Sequence, residues 1–141
     1  MGSAGVIVMD TNVISGLAKP RPDPAVLVWA AAQPIETLHA TAISEAEMLY
    51  GVALLPVGRR RDDPRRAVVT VFATLLAGRV LPFDGAAAMT FADWAAGRPV
   101  GLADLQIAAI AKARGASSIA TRNIRDFEGC GLALIDPWRV S

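Results

Sequence analysis

The stretch Gly5-Val6-Ile7-Val8-Met9-Asp10-Thr11-Asn12 indicates both the fold class of this chain and the place of its chemistry. Its first five residues form a continuous apolar run, which is typical of a parallel β-strand that is covered on both faces. Asp10 follows at the carboxyl end of that strand, where open α/β sheets place their functional groups. Asp10 is therefore the first candidate for a catalytic or metal-binding residue.

Strand-like and helix-like segments alternate along the rest of the 141 residues. Short apolar runs predict strands over residues 5–9, 37–41, 79–83, 117–121 and 132–135, the last at an edge of the sheet. Amphipathic patterns predict helices over residues 12–18, 24–33, 43–55, 64–77, 85–96 and 102–114. This alternation predicts an α/β fold, with a small and mainly parallel sheet between helices, in a single domain over residues 1–141.

Several helix ends carry recognisable signals. The pairs Asp23-Pro24 and Asp63-Pro64 predict helix starts, with Asp as the N-cap and Pro at the first helical position. Asp84 is predicted to cap a further helix. Residues 97–101 read as a loop, and residues 123–128 as a short turn.

The composition restricts the classes of function. The chain is 53% hydrophobic and 19% charged, with a net charge of +1, so it is neither disordered nor strongly basic. Cys130 is its only cysteine and His39 its only histidine, which excludes an intrachain disulfide, a thiolate metal site and the usual zinc sites. The sequence has no membrane-length apolar run and no signal-peptide pattern, so a cytoplasmic protein is expected.

Four acidic residues are candidates for one site: Asp10, Glu47, Asp104 and Asp126. Each also has a structural interpretation. Asp10 can cap the following helix, and Glu47 completes the capping-box pattern Ser44-x-x-Glu47. Asp104 lies in the first turn of a helix, where the helix dipole favours a carboxylate, and Asp126 lies in a turn.

Gathered carboxylates would point to a metal ion. Two like charges about 5 Å apart repel by about 3 kcal/mol at an effective dielectric constant of about 20. A divalent cation removes that repulsion, and ligation by oxygen atoms alone favours Mg²⁺ or Mn²⁺.

The order of the acidic segments resembles that of the PIN-domain nucleases, and among them the VapC and FitB-like toxins of bacterial toxin–antitoxin pairs. The resemblance covers nearly the whole chain. The segments that carry it are Val8-Met9-Asp10-Thr11-Asn12-Val13-Ile14-Ser15, Ser44-Glu45-Ala46-Glu47-Met48-Leu49-Tyr50-Gly51, Leu81-Pro82-Phe83-Asp84, Gly97-Arg98-Pro99 through Ala103-Asp104, Ala120-Thr121-Arg122-Asn123 through Asp126-Phe127, and Ile135-Asp136-Pro137-Trp138.

The resemblance implies a PIN-like α/β/α sandwich and a metal-dependent endoribonuclease that acts as a toxin. Asp10, Glu47, Asp104 and Asp126 would surround one or two Mg²⁺ ions, or Mn²⁺ in their place. The implied partners are an inhibitory antitoxin, a tRNA or ribosomal RNA loop as substrate, and a second copy of the chain in a homodimer. Operator DNA would be bound only through the antitoxin. In one departure, the 19 residues between Asp84 and Asp104 are fewer than relatives usually carry, which implies a shortened helix there.

Other residues are candidates for supporting roles. Asn12 and Asn123 are expected to orient carboxylates by hydrogen bonds, or else to be turn or cap residues. Three arginines near the acidic segments are candidates for contacts with RNA phosphates: Arg98, Arg122 and Arg125. The run Arg59-Arg60-Arg61 reads either as a solvated helix start or as a phosphate-binding patch. His39 is expected to be a packed or exposed residue of the second strand, and Cys130 is expected to be inert.

Two other classes of function stay open on the sequence alone. The chain can be a non-catalytic partner in a DNA-binding regulatory complex, with its carboxylates retained for folding or ion binding. Alternatively, Asp10-Thr11-Asn12 can suggest a hydrolase that forms a phospho-aspartate. Such sites normally need a lysine, and the chain has only Lys19 and Lys112.

Overall fold

A five-stranded parallel sheet forms the centre of the fold. The computed structural model describes residues 5–97 and 101–139. The strands of the sheet are β1 (Ile7–Met9), β2 (Leu38–Thr41), β3 (Val80–Leu81), β4 (Ser118–Ala120) and β5 (Ala133–Ile135). They lie in the order β3-β2-β1-β4-β5, and every neighbouring pair is parallel. The predicted parallel sheet is confirmed, with β5 at an edge as expected. Because β1 is central, Asp10 emerges at the middle of the carboxyl edge.

Helices cover both faces of the sheet. They are α1 (Thr11–Ala18), α2 (Pro24–Ala31), α3 (Ala42–Ala53), α4 (Arg59–Ala73), α5 (Gly85–Ala95), α6 (Leu102–Ala113) and the short α7 (Ile124–Phe127), with a 3₁₀ turn at Ile35–Thr37. Ile7 and Met9 of β1 pack into a core with residues of α1 to α4. Val8, which points to the opposite face, packs with residues of α6 and α7. The sandwich of a sheet between two helical layers is thus confirmed.

The start of α4 differs from the prediction. The helix begins at Arg59, with Gly58 as its N-cap, so the Asp63-Pro64 pair does not open it and Pro64 lies inside. The triple-arginine run therefore forms the first turn of the helix. Proline removes the hydrogen bond to the carbonyl four residues earlier. That carbonyl belongs to Arg60, whose side chain is exposed, so water can replace the lost donor.

The predicted start of α2 is confirmed, since Asp23 is its N-cap residue and Pro24 its first residue. The Asp23 side chain makes no capping hydrogen bond and instead pairs with Lys19 at 3.2 Å. The Ser44-x-x-Glu47 capping box does not form, because β2 runs directly into α3 and Thr41 is the N-cap. The Thr41 side chain accepts a hydrogen bond from Ser44 N at 3.2 Å. In contrast, Asp84 caps α5 as predicted, since its Oδ1 accepts a hydrogen bond from Ala87 N at 3.0 Å.

The turn after α6 returns the chain to the centre of the sheet. Gly115 takes a φ of +66°, and Ala116 N and Gly115 N donate to the carbonyls of Ala111 and Lys112, as in a Schellman motif. Strand β4 then pairs with β1 in a register that sets Met9 opposite Ala120. The next residues along the two strands, Asp10 and Thr121, consequently meet at the same edge.

The part of the chain that the structure describes contains no helix with both the length and the apolar character needed to cross a membrane.

Candidate active site at the carboxyl edge of the sheet

Asp10 is buried at the end of the central strand, with only 3% of its surface exposed. Its Oδ1 accepts a hydrogen bond from Thr11 N at 2.8 Å, and its Oδ2 accepts one from Thr121 Oγ1 at 2.8 Å. Asp10 is also the N-cap residue of α1. The capping interpretation and the proposed functional role therefore apply to the same carboxylate.

Burial raises the pKa of Asp10 because a charged carboxylate loses its hydration there, and the charges of Glu47 and Asp126 raise it further. The hydrogen bonds from Thr121 and Thr11 act in the opposite direction. The burial effect is larger, so the charged form of Asp10 is destabilised in the metal-free fold.

Thr121 is a supporting residue that the sequence did not reveal. Its hydroxyl donates to Asp10 Oδ2 and accepts a hydrogen bond from Asn123 N at 2.9 Å. Its position just after a predicted strand places it at the functional edge of the sheet. Only the pairing of β4 with β1, however, shows that it lies next to Asp10. A threonine there both fixes the Asp10 carboxylate and supports the turn that follows.

Glu47 projects from α3 and is held by Thr11. Thr11 Oγ1 lies 2.7 Å from Glu47 Oε1 and 2.9 Å from Ser44 Oγ. A hydroxyl has only one proton, so Thr11 donates to the carboxylate while the Ser44 hydroxyl can donate to Thr11. Thr11 therefore connects both carboxylates, Asp10 through its backbone and Glu47 through its side chain.

Asp104 lies in the first turn of α6 and is half-buried. Its neighbours one turn on, Ile107 and Ala108, are buried, as the sequence predicted. Loss of hydration raises the pKa of Asp104 to about 6, and the charges of Asp10, Asp126 and Glu47 add to this effect. All four predicted carboxylates are thus close enough to interact through their charges.

Three of the four carboxylates line one cavity of about 440 Å³. The residues around it are Asp10, Thr11, Asn12, Ser15, Gly16, Lys19, Asp23, Glu47, Asp104, Arg122, Asn123 and Trp138. Asp126 lines a separate cavity of about 50 Å³, which it shares with Asp104 and Arg125. The structure therefore brings Asp10, Glu47 and Asp104 together and sets Asp126 beside them.

The donor set fits a hard cation. Within residues 5–97 and 101–139, no three His, Cys, Asp or Glu side chains are arranged as a complete metal site. Mg²⁺, however, typically binds through one or two carboxylates and keeps several waters. Asp10 and Asp104 form no ion pair with any described residue, so their charge is available to such an ion.

The remaining candidates have different surroundings. Asn12 Oδ1 accepts a hydrogen bond from Arg122 N at 3.3 Å, and Asn123 contacts Thr121 through its backbone N–H. Lys19 lies at the acidic cavity but is paired with Asp23. Arg98 lies outside the described residues.

Residues 7–129 match the sequence profile described as PIN domain. The chain belongs to the PIN-domain family. It is 47% identical to the VapC ribonuclease Y4jK of Sinorhizobium fredii, over 94% of this chain and 98% of that protein. It is 34% identical to the toxin FitB of Neisseria gonorrhoeae, over 94% of this chain and 99% of that toxin.

The fold agrees with this membership. A solved structure of FitAB bound to an IR36 DNA fragment superposes with a TM-score of 0.83, at 34% identity, and covers 96% of this chain and 98% of that chain. The predicted PIN-like fold is thus confirmed. The roles of the individual carboxylates in this PIN domain stay predictions.

The raised pKa of Asp104 predicts that the metal-free protein becomes less stable as pH rises from about 4 to about 6. A carboxyl group with a higher pKa in the folded state binds more protons there, so folding is favoured at low pH and that advantage disappears above the folded pKa. We expect Asp104→Asn to remove the part of this decrease that Asp104 contributes, while Asp10, whose pKa is also raised, keeps its own part. At pH 7.5 the variant should be about 1–2 kcal/mol more stable than the parent chain, which is less than the whole pKa shift implies, because Asp104 is only half-buried and solvent screens its charge.

Urea unfolding in EDTA, at several pH values, measures this difference. Asp93→Asn is the matched control, because Asp93 is an exposed carboxylate on α5. Equal pH profiles for the parent chain and Asp104→Asn would show that Asp104 does not carry the proposed repulsion.

Proposed function

We propose that this PIN-domain protein is a Mg²⁺- or Mn²⁺-dependent endoribonuclease and the toxin of a toxin–antitoxin pair. The observation that carries the proposal is the meeting of Asp10, Glu47 and Asp104 around one cavity at the centre of the carboxyl edge. The chain's similarity to a protein named VapC ribonuclease and to the toxin FitB supports the choice of RNA and of the toxin role.

In this proposal Asp10 and Asp104 would hold the ion, and Glu47 and Asp126 would add negative charge around it or hold a second one. A bound ion would activate a water molecule and neutralise the charge that develops on the scissile phosphate. Thr11 and Thr121 keep the Asp10 carboxylate in one orientation, as the outer hydrogen-bond partners of metal ligands do. Thr11 fixes Glu47 at Oε1, so Oε2 is the atom of this carboxylate that would face a second ion or a water at the cavity.

An apolar groove beside the acidic cavity supports the antitoxin part of the proposal. The groove encloses about 480 Å³ between α1, α3 and α4, with Met48, Val52 and Val68 in its walls. It shares four lining residues with the acidic cavity: Thr11, Ser15, Lys19 and Glu47. An amphipathic helix of an antitoxin would fit its apolar face into this groove and extend a basic side chain to the carboxylates.

The assembly that we propose is a homodimer with one antitoxin bound to each subunit. Contacts with operator DNA would be made by the antitoxin. A non-catalytic role in such a DNA-bound complex is the second candidate function, and the DNA-bound state of the FitAB relative favours it. A test of RNA cleavage separates the two functions.

We expect the purified chain to cleave total RNA with Mg²⁺ or Mn²⁺ and to lose this activity in EDTA. Asp10→Asn should reduce cleavage by at least about 100-fold, because even the outer partners of metal ligands contribute about 10- to 100-fold. Gel electrophoresis of the fragments measures the rate, and 5′-end sequencing identifies the cleaved RNA.

Asp62→Asn is the control for this experiment, since Asp62 is an exposed carboxylate on α4 outside the cavity. Cleavage at the parent rate by folded Asp10→Asn would contradict the proposed site. A parent chain that is inactive with both ions would favour the non-catalytic role.

Blocking the apolar groove is expected to separate inhibition from catalysis. Ala67 lies in its wall on α4, so Ala67→Arg should prevent an antitoxin helix from binding without changing the carboxylates. The antitoxin of such a pair is expected to be a small protein encoded just upstream. Co-expression with that protein should yield an inactive complex for the parent chain and free, active nuclease for the variant.

Ala86→Arg places the same charge on an exposed position of α5 and should still bind the inhibitor. The groove assignment fails if Ala67→Arg binds the upstream protein as tightly as Ala86→Arg does. The toxin assignment fails if that protein neither binds nor inhibits the parent chain.

A further inference from the structure

The acidic cavity has a positively charged side as well as a negatively charged one. Among the described residues that line it, Lys19 and Arg122 are the cations. Both oxygens of Asp23 lie within 3.4 Å of Lys19 Nζ, so the charge of Lys19 is largely neutralised. Arg122 forms no ion pair with any described residue. Its guanidinium group is therefore the cation of the cavity that is available to a ligand.

Arg122 is held at two points. Its backbone N–H donates to Asn12 Oδ1 at 3.3 Å, and its guanidinium carbon lies 4.5 Å from the centre of the Trp138 ring. A cation over an indole ring is attracted by the negative face of the ring. The exposed arginine thus has a preferred position at the cavity without a carboxylate partner.

Trp138 is in turn fixed by the fold. Its backbone N–H donates to Asp136 Oδ1 at 2.9 Å, and its ring packs against the core beside α1. A Cβ at Gly16 would lie 3.5 Å from Trp138 Cζ2, which is an ordinary van der Waals contact, and 3.2 Å from Asp23 Oδ2. The edge of the Trp138 ring thus lies against α1 at this position.

The order of the strands determines on which side of Asp10 the Arg122–Trp138 pair lies. Arg122 follows β4 and Trp138 follows β5, whereas Glu47 belongs to the helix after β2, on the other side of β1. The Arg122–Trp138 pair and Glu47 therefore flank Asp10 from opposite sides. A nucleic-acid strand that crosses the carboxyl edge would meet a fixed cation on the β5 side.

We propose that Arg122, positioned by Trp138, binds a backbone phosphate of the RNA on the β5 side of Asp10 and so holds the strand across the carboxylates. This inference rests on the proposed ribonuclease function. Arginine suits this role because its planar group of N–H donors matches the geometry of a phosphate. Arg125, which lines the separate smaller cavity, has no corresponding place beside Asp10.

The test is the salt dependence of binding to a fluorescent single-stranded RNA of about eight nucleotides, with Ca²⁺ replacing Mg²⁺. Arg122→Gln should raise Kd about 10-fold. It should also make the negative slope of log association constant against log[salt] shallower by about 0.7, the value for one phosphate contact on a single strand. Cleavage assays with Mg²⁺ should show the same variant with a raised KM and a kcat within about 3-fold of the parent value.

Arg139→Gln is the matched control, because it removes the same charge from an exposed arginine that is paired with Asp136 outside the cavity. Trp138→Leu should raise Kd about 2- to 5-fold with an unchanged slope. The double variant that combines Trp138→Leu with Arg122→Gln should bind the RNA no more weakly than Arg122→Gln alone, since Trp138 acts through the arginine. Thermal unfolding verifies that each variant is folded.

Equal effects of Arg122→Gln and Arg139→Gln would overturn the inference while leaving the ribonuclease function intact. A raised Kd of Arg122→Gln with no change in its slope would also overturn it, because that result indicates base stacking by the arginine rather than a phosphate contact. A parent chain that neither binds nor cleaves RNA would remove the proposed function together with this inference.

Discussion

The carboxylate of Asp10 is buried at the end of the central strand, where Thr11 N and Thr121 Oγ1 each donate a hydrogen bond of 2.8 Å to it. An isolated charge in such a place would be strongly unfavourable, and hydrogen bonds offset only part of that cost. They form only if α1 starts directly after β1 and if β4 pairs with β1 in the observed register. The edge of the sheet is therefore built around this one side chain.

The other carboxylates increase the electrostatic cost that Asp10 already carries. Glu47 and Asp126 raise the pKa of Asp10, and all three of these acids raise the pKa of Asp104. Side chains selected for stability alone would not gather in this way, since native proteins have only about 5–15 kcal/mol of stability in total. The arrangement is understandable if a divalent cation completes the site, because it turns the repulsion into binding energy for the ion.

Much of this arrangement was predictable from local sequence. The apolar run before Asp10 and the cap at Asp84 are local features, and both were predicted correctly. The capping box at Glu47 and the helix start at Asp63-Pro64 were wrong, because the chain enters those helices earlier than the local signals indicate. The roles of Thr121 and Trp138 depend on which strands are neighbours. Strand order is a property of the whole fold, so no pattern within one segment of the sequence reveals it.

The most direct test of the account is the thermal stability of the chain across a titration with Mg²⁺ and with Mn²⁺. An ion that binds only the folded state stabilises it by about 2.7 kcal/mol at a hundredfold excess over Kd. The parent chain and the control Asp93→Asn should show this rise in Tm, and Asp10→Asn should not. A Tm that stays constant for the parent chain, or rises equally in Asp10→Asn, would contradict the claim that these carboxylates are gathered to hold a cation.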